Sequence, residues 1–358
     1  MGKFQFSLPG LKKSNLAVGL DIGSHAIKIC ELAESGKSCR LLKLGSAILP
    51  EGAVEDGVLQ EPDAVGAIIA ELFKNLKIKN KKVAISISGY SVIVKKINLA
   101  VMDQEELAEH ITAEAEQYIP FDIDEVFLDF QDLKTSELSG SDRTDVMLVA
   151  AKKEVVNGYL EMLEKIGLTT VVVDVDAFAL ENSFEKNFPS QDNVVLVDIG
   201  ASKMSINIIS HGASILARDV VLGSRQLTDQ IQSRFDTSME EAEDLKIGKV
   251  PPEDKREQLE NIFTKTIGHW VLEIQKALEF YYSTYPEDTI HRLVLSGGGA
   301  KVKGLDAYLN KETGIETEIF NPFTRIEFDP KKIDPMYVQR IAPEMAISAG
   351  LATRPSLL

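Results

Sequence analysis

Two distant stretches of this chain share one pattern of apolar and polar positions. Residues 18–30, "VGLDIGSHAIKIC", and residues 195–207, "VLVDIGASKMSIN", each run apolar up to Asp-Ile-Gly and then alternate apolar with polar. The apolar run predicts a buried strand before each turn, and the alternation predicts a half-buried strand after it. The correspondence continues downstream. Ser35-Gly36 and His211-Gly212 mark second turns, ahead of the strands "CRLLKLGSAIL" and "SILARDVVLGS". Each half therefore opens with a three-stranded meander whose first turn carries an acid and a glycine. The separation is too wide for a solenoid repeat and fits a duplicated domain.

After each meander the period changes. The stretch "EPDAVGAIIAELFKNLKI" has the spacing of an amphipathic helix and leads into the alternating strand "KKVAISISG". In the second half, helices are predicted from Ser224 to about Tyr285, followed by the strand "HRLVLSGGG". This order predicts mixed sheets with flanking helices, in two lobes of like topology, with both Asp-Ile-Gly turns lining the cleft between them. Residues 97–168 depart from the plan. Asp103 and Glu106 form a capping box for a helix that Pro120 ends, the strands "EVFLDFQDL" and "DVMLVAAK" follow, and the helix "EVVNGYLEMLEKIG" stops at Gly167. That reads as a small inserted α/β module. The expected organisation is a flexible tail over 1–14, a first lobe over 15–96, 169–192 and 340–358, and the insert over 97–168. A second lobe is expected over 193–223 and 289–339, with a helical module over 224–288. Helical spacing of Leu259, Phe263, Trp270, Ile274 and Leu278 places the sole tryptophan in a core stripe.

Composition narrows the classes. The 358 residues, 44% hydrophobic and 26% charged, are ordinary for a soluble globular protein of more than one domain. A net charge of −16 argues against nucleic acid as a partner and against general adhesion to an anionic membrane. No apolar run is long enough to span a membrane, so no transmembrane segment is expected. Cys30 and Cys39 read as reduced thiols on neighbouring strands, and the five histidines are scattered without metal-ligand spacing.

The turns suggest chemistry. A glycine at the tip of a turn lets backbone N–H groups approach a phosphate with no Cβ in the way. The candidates are Gly23, Ser24 and His25 in one half and Gly200, Ala201 and Ser202 in the other. Asp21 and Asp198 would repel phosphates, so they are assigned to the water ligands of a bridging Mg²⁺, which keeps much of its hydration shell. Lys28 is placed to neutralise a phosphate oxygen. A third loop, Gly297-Gly298-Gly299, joins a buried strand to a helix, where backbone can face an anion or a flat ring. Glu243 and Lys246 share a face of a helix capped by Ser238 and Glu241, and suit a ribose hydroxyl and a phosphate or base edge. Two copies of Asp-Ile-Gly in matching contexts favour phosphate binding over plain turn chemistry.

The ordered set Asp21-x-Gly23-Ser24-x-x-x-Lys28, Asp198-x-Gly200, Glu243-x-x-Lys246 and Gly297–Gly299 resembles the nucleotide site of the actin-like ATPase superfamily. That resemblance implies a duplicated, ribonuclease H-like α/β fold of two lobes. The insert resembles the small α/β subdomain of FtsA, and the chain as a whole is similar to the PilM family of cytoplasmic actin-like proteins of type IV pilus assembly. "VVVDVDAFAL" resembles the segment connecting the lobes. "EMAISAGLA" resembles the return helix, where Ala346, Ala349 and Gly350 permit close crossing.

The resemblance implies ATP and Mg²⁺ in the cleft, and a groove between first lobe and insert for the cytoplasmic N-terminal peptide of a PilN-like inner-membrane protein. It also implies a cytoplasmic protein held at the inner membrane through such partners, other pilus assembly proteins among them, with self-association left open. Relatives that hydrolyse ATP well often have Gly-Gly-Thr or Asp-Gly after the second Asp-x-Gly, whereas Ala201-Ser202-Lys203 stands here. The water-positioning acid falls to either Asp174 or Asp176, which alternation puts on one face of a strand. Loss of one well-placed donor or base costs roughly 10² to 10³ in rate, so nucleotide binding with slow or negligible turnover is expected. The alternatives are an FtsA-like ATP-dependent filament and a small-molecule kinase of the same superfamily.

Overall fold

The structure, a computed structural model, describes residues 14–35, 38–136, 140–188 and 192–356. Of the expected tail over 1–14, residues 1–13 lie outside them, as does Gly36 of the first meander, while Ser14 begins a strand. In chain order the strands begin with β1 (Ser14–Leu16), β2 (Val18–Ile22), β3 (Ala26–Ser35) and β4 (Ser38–Ile48), then the short pair β5 (Val54–Glu55) and β6 (Val58–Leu59). Next come β7 (Lys82–Ile87), β8 (Val92–Ala100), β9 (Val126–Asp132), β10 (Arg143–Lys152) and β11 (Thr169–Val175). The second half supplies β12 (Val194–Ile199), β13 (Met204–Ser210), β14 (Ala213–Val220), β15 (Arg292–Ser296) and β16 (Thr317–Ile319). A last strand, β17 (Pro355–Ser356), pairs with β1.

The duplication is present strand by strand. One five-stranded sheet has the order β11-β7-β2-β3-β4 and the other β16-β15-β12-β13-β14. In each, an antiparallel meander is followed outward from its first strand by two parallel strands, β7 and β11 or β15 and β16. This is the two-lobed actin-like plan. Parallel pairing makes β2, β7 and β11 end at one edge, and β12 and β15 at the matching edge of the other sheet. In open α/β sheets ligands gather at such carboxyl ends.

Each lobe is held by helices laid on its sheet. The helix Pro62–Asn75 starts with proline at a position that needs no N–H donor, and buries Val65, Ile69, Leu72 and Phe73 among Val18, Leu20 and Ile85. The long helix Arg256–Thr284 buries Trp270, Ile274 and Leu278 against β12 and β13, with Leu259 and Phe263 packed at the margin. The stripe is core, as its spacing predicts. Cys30 and Cys39 are free thiols on β3 and β4, facing Leu44 and Glu34.

The insert is a three-stranded antiparallel sheet, β8-β10-β9. One face packs on the helix Gln104–Glu114, whose start carries the Asp103–Glu106 capping box. Met147 and Val149 on the other face meet Val175 and Phe178 of the connector. Three expected boundaries shift. The insert sheet begins at Val92, because β8 pairs with β10 from Val92 onward. The helix Lys153–Lys165 packs on the first lobe, since Val156, Tyr159, Met162 and Leu163 share the cluster of Val18 and Ile69. Phe323, Ile326, Ile333 and Val338 also bury on the first lobe, against Leu32, Leu41 and Leu44, and not on the second.

Between the lobes the helices Asp176–Asn187 and Ala346–Leu351 cross in close contact. A Cβ at Gly350 would overlap the Ala179 carbonyl, and one at Gly19 would overlap the Ser348 carbonyl. Only glycine permits both approaches.

Candidate functional site

A cavity of about 430 Å³ lies where the carboxyl edges of the two sheets meet, and both Asp-Ile-Gly turns line it. Their geometry is the same. Gly23 N–H donates to the Ala26 carbonyl at 3.1 Å, and Gly200 N–H to the Lys203 carbonyl at 2.9 Å. The glycine donors are thus spent within the turns. Among the described residues, no backbone carbonyl accepts from the N–H of Ser24, His25, Ala201 or Ser202. The turns face each other across the cleft, with Ser202 Oγ donating to Ser24 Oγ at 2.8 Å.

Three carboxylates and two ammonium groups share this floor. Asp21 pairs with Lys28 at 3.1 Å. Asp198 accepts from Ser296 Oγ at 2.8 Å. Asp176 accepts from Ser86 Oγ at 2.5 Å and pairs with Lys203 at 2.8 Å. Lys203 also reaches Asp219 at 3.5 Å, and Asp219 accepts from Gly89 N–H at 2.7 Å, tying the second lobe to the β7–β8 turn.

Their acidities diverge. Burial pushes Asp198 up to about 6, with the Asp21 charge adding to it and the Ser296 hydrogen bond opposing it. Burial also raises Asp21, against the pull of Lys28. Burial would raise Asp176 too, but the Lys203 charge and hydrogen bonds from Lys203, Ser86 and Ser88 hold it below the usual carboxylate range. Lys203 is half-buried, and although desolvation opposes its charge, Asp176 and Asp219 keep its ammonium protonated well above the ordinary lysine range. Burial lowers His25.

Further along the cavity, Lys246 is buried with its Nζ 2.6 Å from Glu243 Oε1 and 2.9 Å from Thr228 Oγ1. Thr228 Oγ1 donates to the same Glu243 oxygen at 2.5 Å. Desolvation lowers the Lys246 pKa, partly offset by Glu243. Gly297, at φ 80°, has its N–H on the Pro343 carbonyl at 2.8 Å and lines the cavity together with Gly298.

The model of the type IV pilus assembly protein PilM family matches residues 19–356. The chain belongs to this family. Its structure is similar to that of a chain in a solved "PilM-PilN type IV pilus biogenesis complex", at 30% identity and TM-score 0.85, over 97% of this chain and 100% of that one. More distant likenesses show the fold alone. The ethanolamine utilization protein EutJ from Carboxydothermus hydrogenoformans matches at 16% identity and TM-score 0.55, over 97% of this chain and 91% of that one. MreB5 of Spiroplasma citri, bound to ADP, matches at 14% identity and TM-score 0.50, over 95% of each chain. Among the described residues no helix is long and apolar enough to cross a membrane.

The structure brings Asp21, Gly23, Ser24, His25, Lys28, Asp176, Asp198, Gly200, Ala201, Ser202, Glu243, Lys246, Gly297 and Gly298 to one cavity. It does not bring Asp174 or Gly299. Asp174 is buried behind the floor, where one oxygen accepts from Arg354 Nε and Nη2, each at 2.6 Å. Strand alternation stops at Val175, and Asp176 already begins a helix, so the two acids diverge. Gly299 packs under Ile199 instead. Sequence reasoning missed Ser86 and Asp219, took Ser296 only as the start of the glycine loop, and assigned Lys203 no contact. Ser86 and Ser296 had a signal, as polar residues near the carboxyl ends of parallel strands β7 and β15.

Proposed function

We propose that the chain binds a nucleotide with Mg²⁺ across this cleft and serves as an actin-like scaffold subunit of the type IV pilus inner-membrane assembly. Its partner in this reading is the cytoplasmic N-terminal tail of a PilN-type membrane protein. The observation that carries the nucleotide half is the confrontation of the two turns, with Ser24 and Ser202 at 2.8 Å and a nucleotide-sized cavity beside them. The partner half is supported by family membership and by the 30% identity to a chain solved in a PilM-PilN complex. Family membership favours this reading over the filament and kinase alternatives.

The donor set suits a hydrated divalent cation between phosphates. Asp21 is buried and Asp198 half-buried, both in surroundings that disfavour their charged forms, and a cation between them would reverse that. Attachment would run through water, since Mg²⁺ keeps much of its hydration shell. Ser24, His25, Ala201 and Ser202 offer backbone N–H groups to phosphate oxygens. Glu243 and Lys246, with Gly297 and Gly298, hold the nucleoside end. The magnesium supplies charge neutralisation of the phosphates when bound.

Hydrolysis needs an acid free to orient water. Asp176, the acid that faces the cavity, is already engaged by Lys203 and Ser86. The residues therefore bind and hold, with little turnover. A ligand that spans both turns draws the lobes together through its greater affinity for the closed state. The test is capture of the full chain on a synthetic N-terminal tail of a PilN-type protein, with and without Mg-ATP. Capture strengthened by Mg-ATP is expected. Absence of capture in both conditions removes the partner assignment.

A further inference from the structure

The end of the first lobe opposite the cleft carries a local run of positive charge in an acidic chain. Because β2, β7 and β11 run parallel, the segments that lead into them gather at one edge, away from the Asp-Ile-Gly turn. The segment leading into β7, residues 74–82, holds five lysines and no acidic residue in a chain of net charge −16. Lys74, Lys77, Lys79 and Lys81 are exposed and Lys82 is half-buried. None of the five forms an ion pair among the described residues. Lys165, at the end of the helix that leads to β11, adds to this edge and reaches only Asp63, at 3.9 Å.

The segment is anchored. Ile78 is buried, Asn80 Nδ2 donates to the Leu16 carbonyl at 3.2 Å, and Lys82 N–H donates to Asn80 Oδ1 at 3.1 Å. Asn80 thereby ties the lysines to the end of β1. The sequence ahead of β1, residues 1–13, contains Lys3, Lys12 and Lys13 with Phe4, Phe6, Leu8 and Leu11, and no acidic residue.

We propose that this lysine-bearing end of the first lobe is a docking face for an anionic phospholipid bilayer. Five lysines within nine residues, with Lys165 added from a second segment, match an extended charged surface better than a single acidic peptide. The net charge of −16 then orients the molecule. An anionic surface repels the other faces and attracts this one within a Debye length of roughly 8 Å, which leaves the cleft turned away from the bilayer.

Flotation of the full chain with vesicles tests this, using equal parts phosphatidylglycerol and phosphatidylethanolamine in one arm and phosphatidylcholine alone in the other. Binding to the anionic vesicles only is expected, weakening as salt is added. The triple variant K77E/K79E/K81E is expected to bind roughly a hundredfold less, from about fivefold per lysine. The control K249E/K303E/K311E, exposed lysines of the second lobe and its helical module, is expected to bind as the parent does. Circular dichroism establishes that both variants are folded. Equal flotation with both vesicle types, flotation with neither, unchanged binding in the first variant, or equal loss in the second would each overturn the proposal.

Discussion

Replacing Asp198 by asparagine removes a charge that the cleft holds at a cost. Burial displaces this carboxyl from 3.8 to about 6. At 1.36 kcal/mol per unit, the penalty at pH 7 is about 3 kcal/mol before correction. The side chain is half-buried and Ser296 still has an oxygen to donate to in the variant, so about 2 kcal/mol is the expected gain in stability of D198N. The sign follows from linkage. A carboxyl with a raised folded pKa contributes stability that is complete below the unfolded value and is lost as pH rises through about 6. The amide lacks that dependence, so its advantage shrinks to about 1 kcal/mol at pH 5. Differential scanning calorimetry without nucleotide is therefore expected to show a midpoint about 3 °C higher in D198N at pH 7, with a smaller gap at pH 5. Under Mg-ATP at a hundredfold excess over the parent's Kd, the parent gains about 2.7 kcal/mol, and a variant bound 10- to 100-fold more weakly gains only about 1.4 to 0.4 kcal/mol. A variant less stable than the parent at pH 7 without nucleotide, or an advantage that persists unchanged at pH 5, would refute the reasoning.

Other perturbations read other links. K203M strands Asp176 and Asp219 and is expected to cost about 3 kcal/mol in urea unfolding. Its pH response also changes sign. The depressed Asp176 of the parent adds stability above the ordinary carboxylate pKa that is lost as pH falls through its depressed value. In the variant burial dominates, so acidification from pH 7 to 5 narrows the deficit, and a widening deficit would contradict the assignment. R354M leaves Asp174 buried without its partner and should cost about 4 kcal/mol; adding D174N should recover part of that in a double-mutant cycle. Two glycines should behave oppositely. G350V, forced into the Ala179 carbonyl, is expected to lose more than about 4 kcal/mol and to appear as insoluble expression. G158A, in the helix Lys153–Lys165 with open space around it, is expected to gain about 0.5–1 kcal/mol in thermal unfolding.

Local signals were legible wherever chemistry and geometry coincide within a few residues. An acid and a glycine at the end of an apolar strand, repeated in matching context, located both turns, and Ser-x-x-Glu or Asp-x-x-Glu marked the helix starts at Ser238 and Asp103. What failed lay at long range or lacked a breaker. No side chain caps the helix that begins at Asp176, so strand alternation seemed to continue and placed Asp174 in the cleft. Its true partner, Arg354, lies 180 residues away. The apolar stripe Val156, Tyr159, Met162 and Leu163 announced a buried helix face, but no local feature says which sheet covers it. The bridge from Lys203 to Asp219 likewise exists only once β13 and β14 pair and bring position 219 beside Ser205.

The central claim is that one nucleotide and its hydrated cation lie between the two Asp-Ile-Gly turns. Calorimetric titration of ATP into the full chain, with Mg²⁺ or with EDTA, measures it most directly when repeated on D21A and D198A. Magnesium-dependent binding of one ATP per chain is predicted, weakened about 10- to 100-fold in each variant, as loss of a water-mediated metal contact entails. Undiminished affinity in both variants, or no binding by the parent chain, would contradict it.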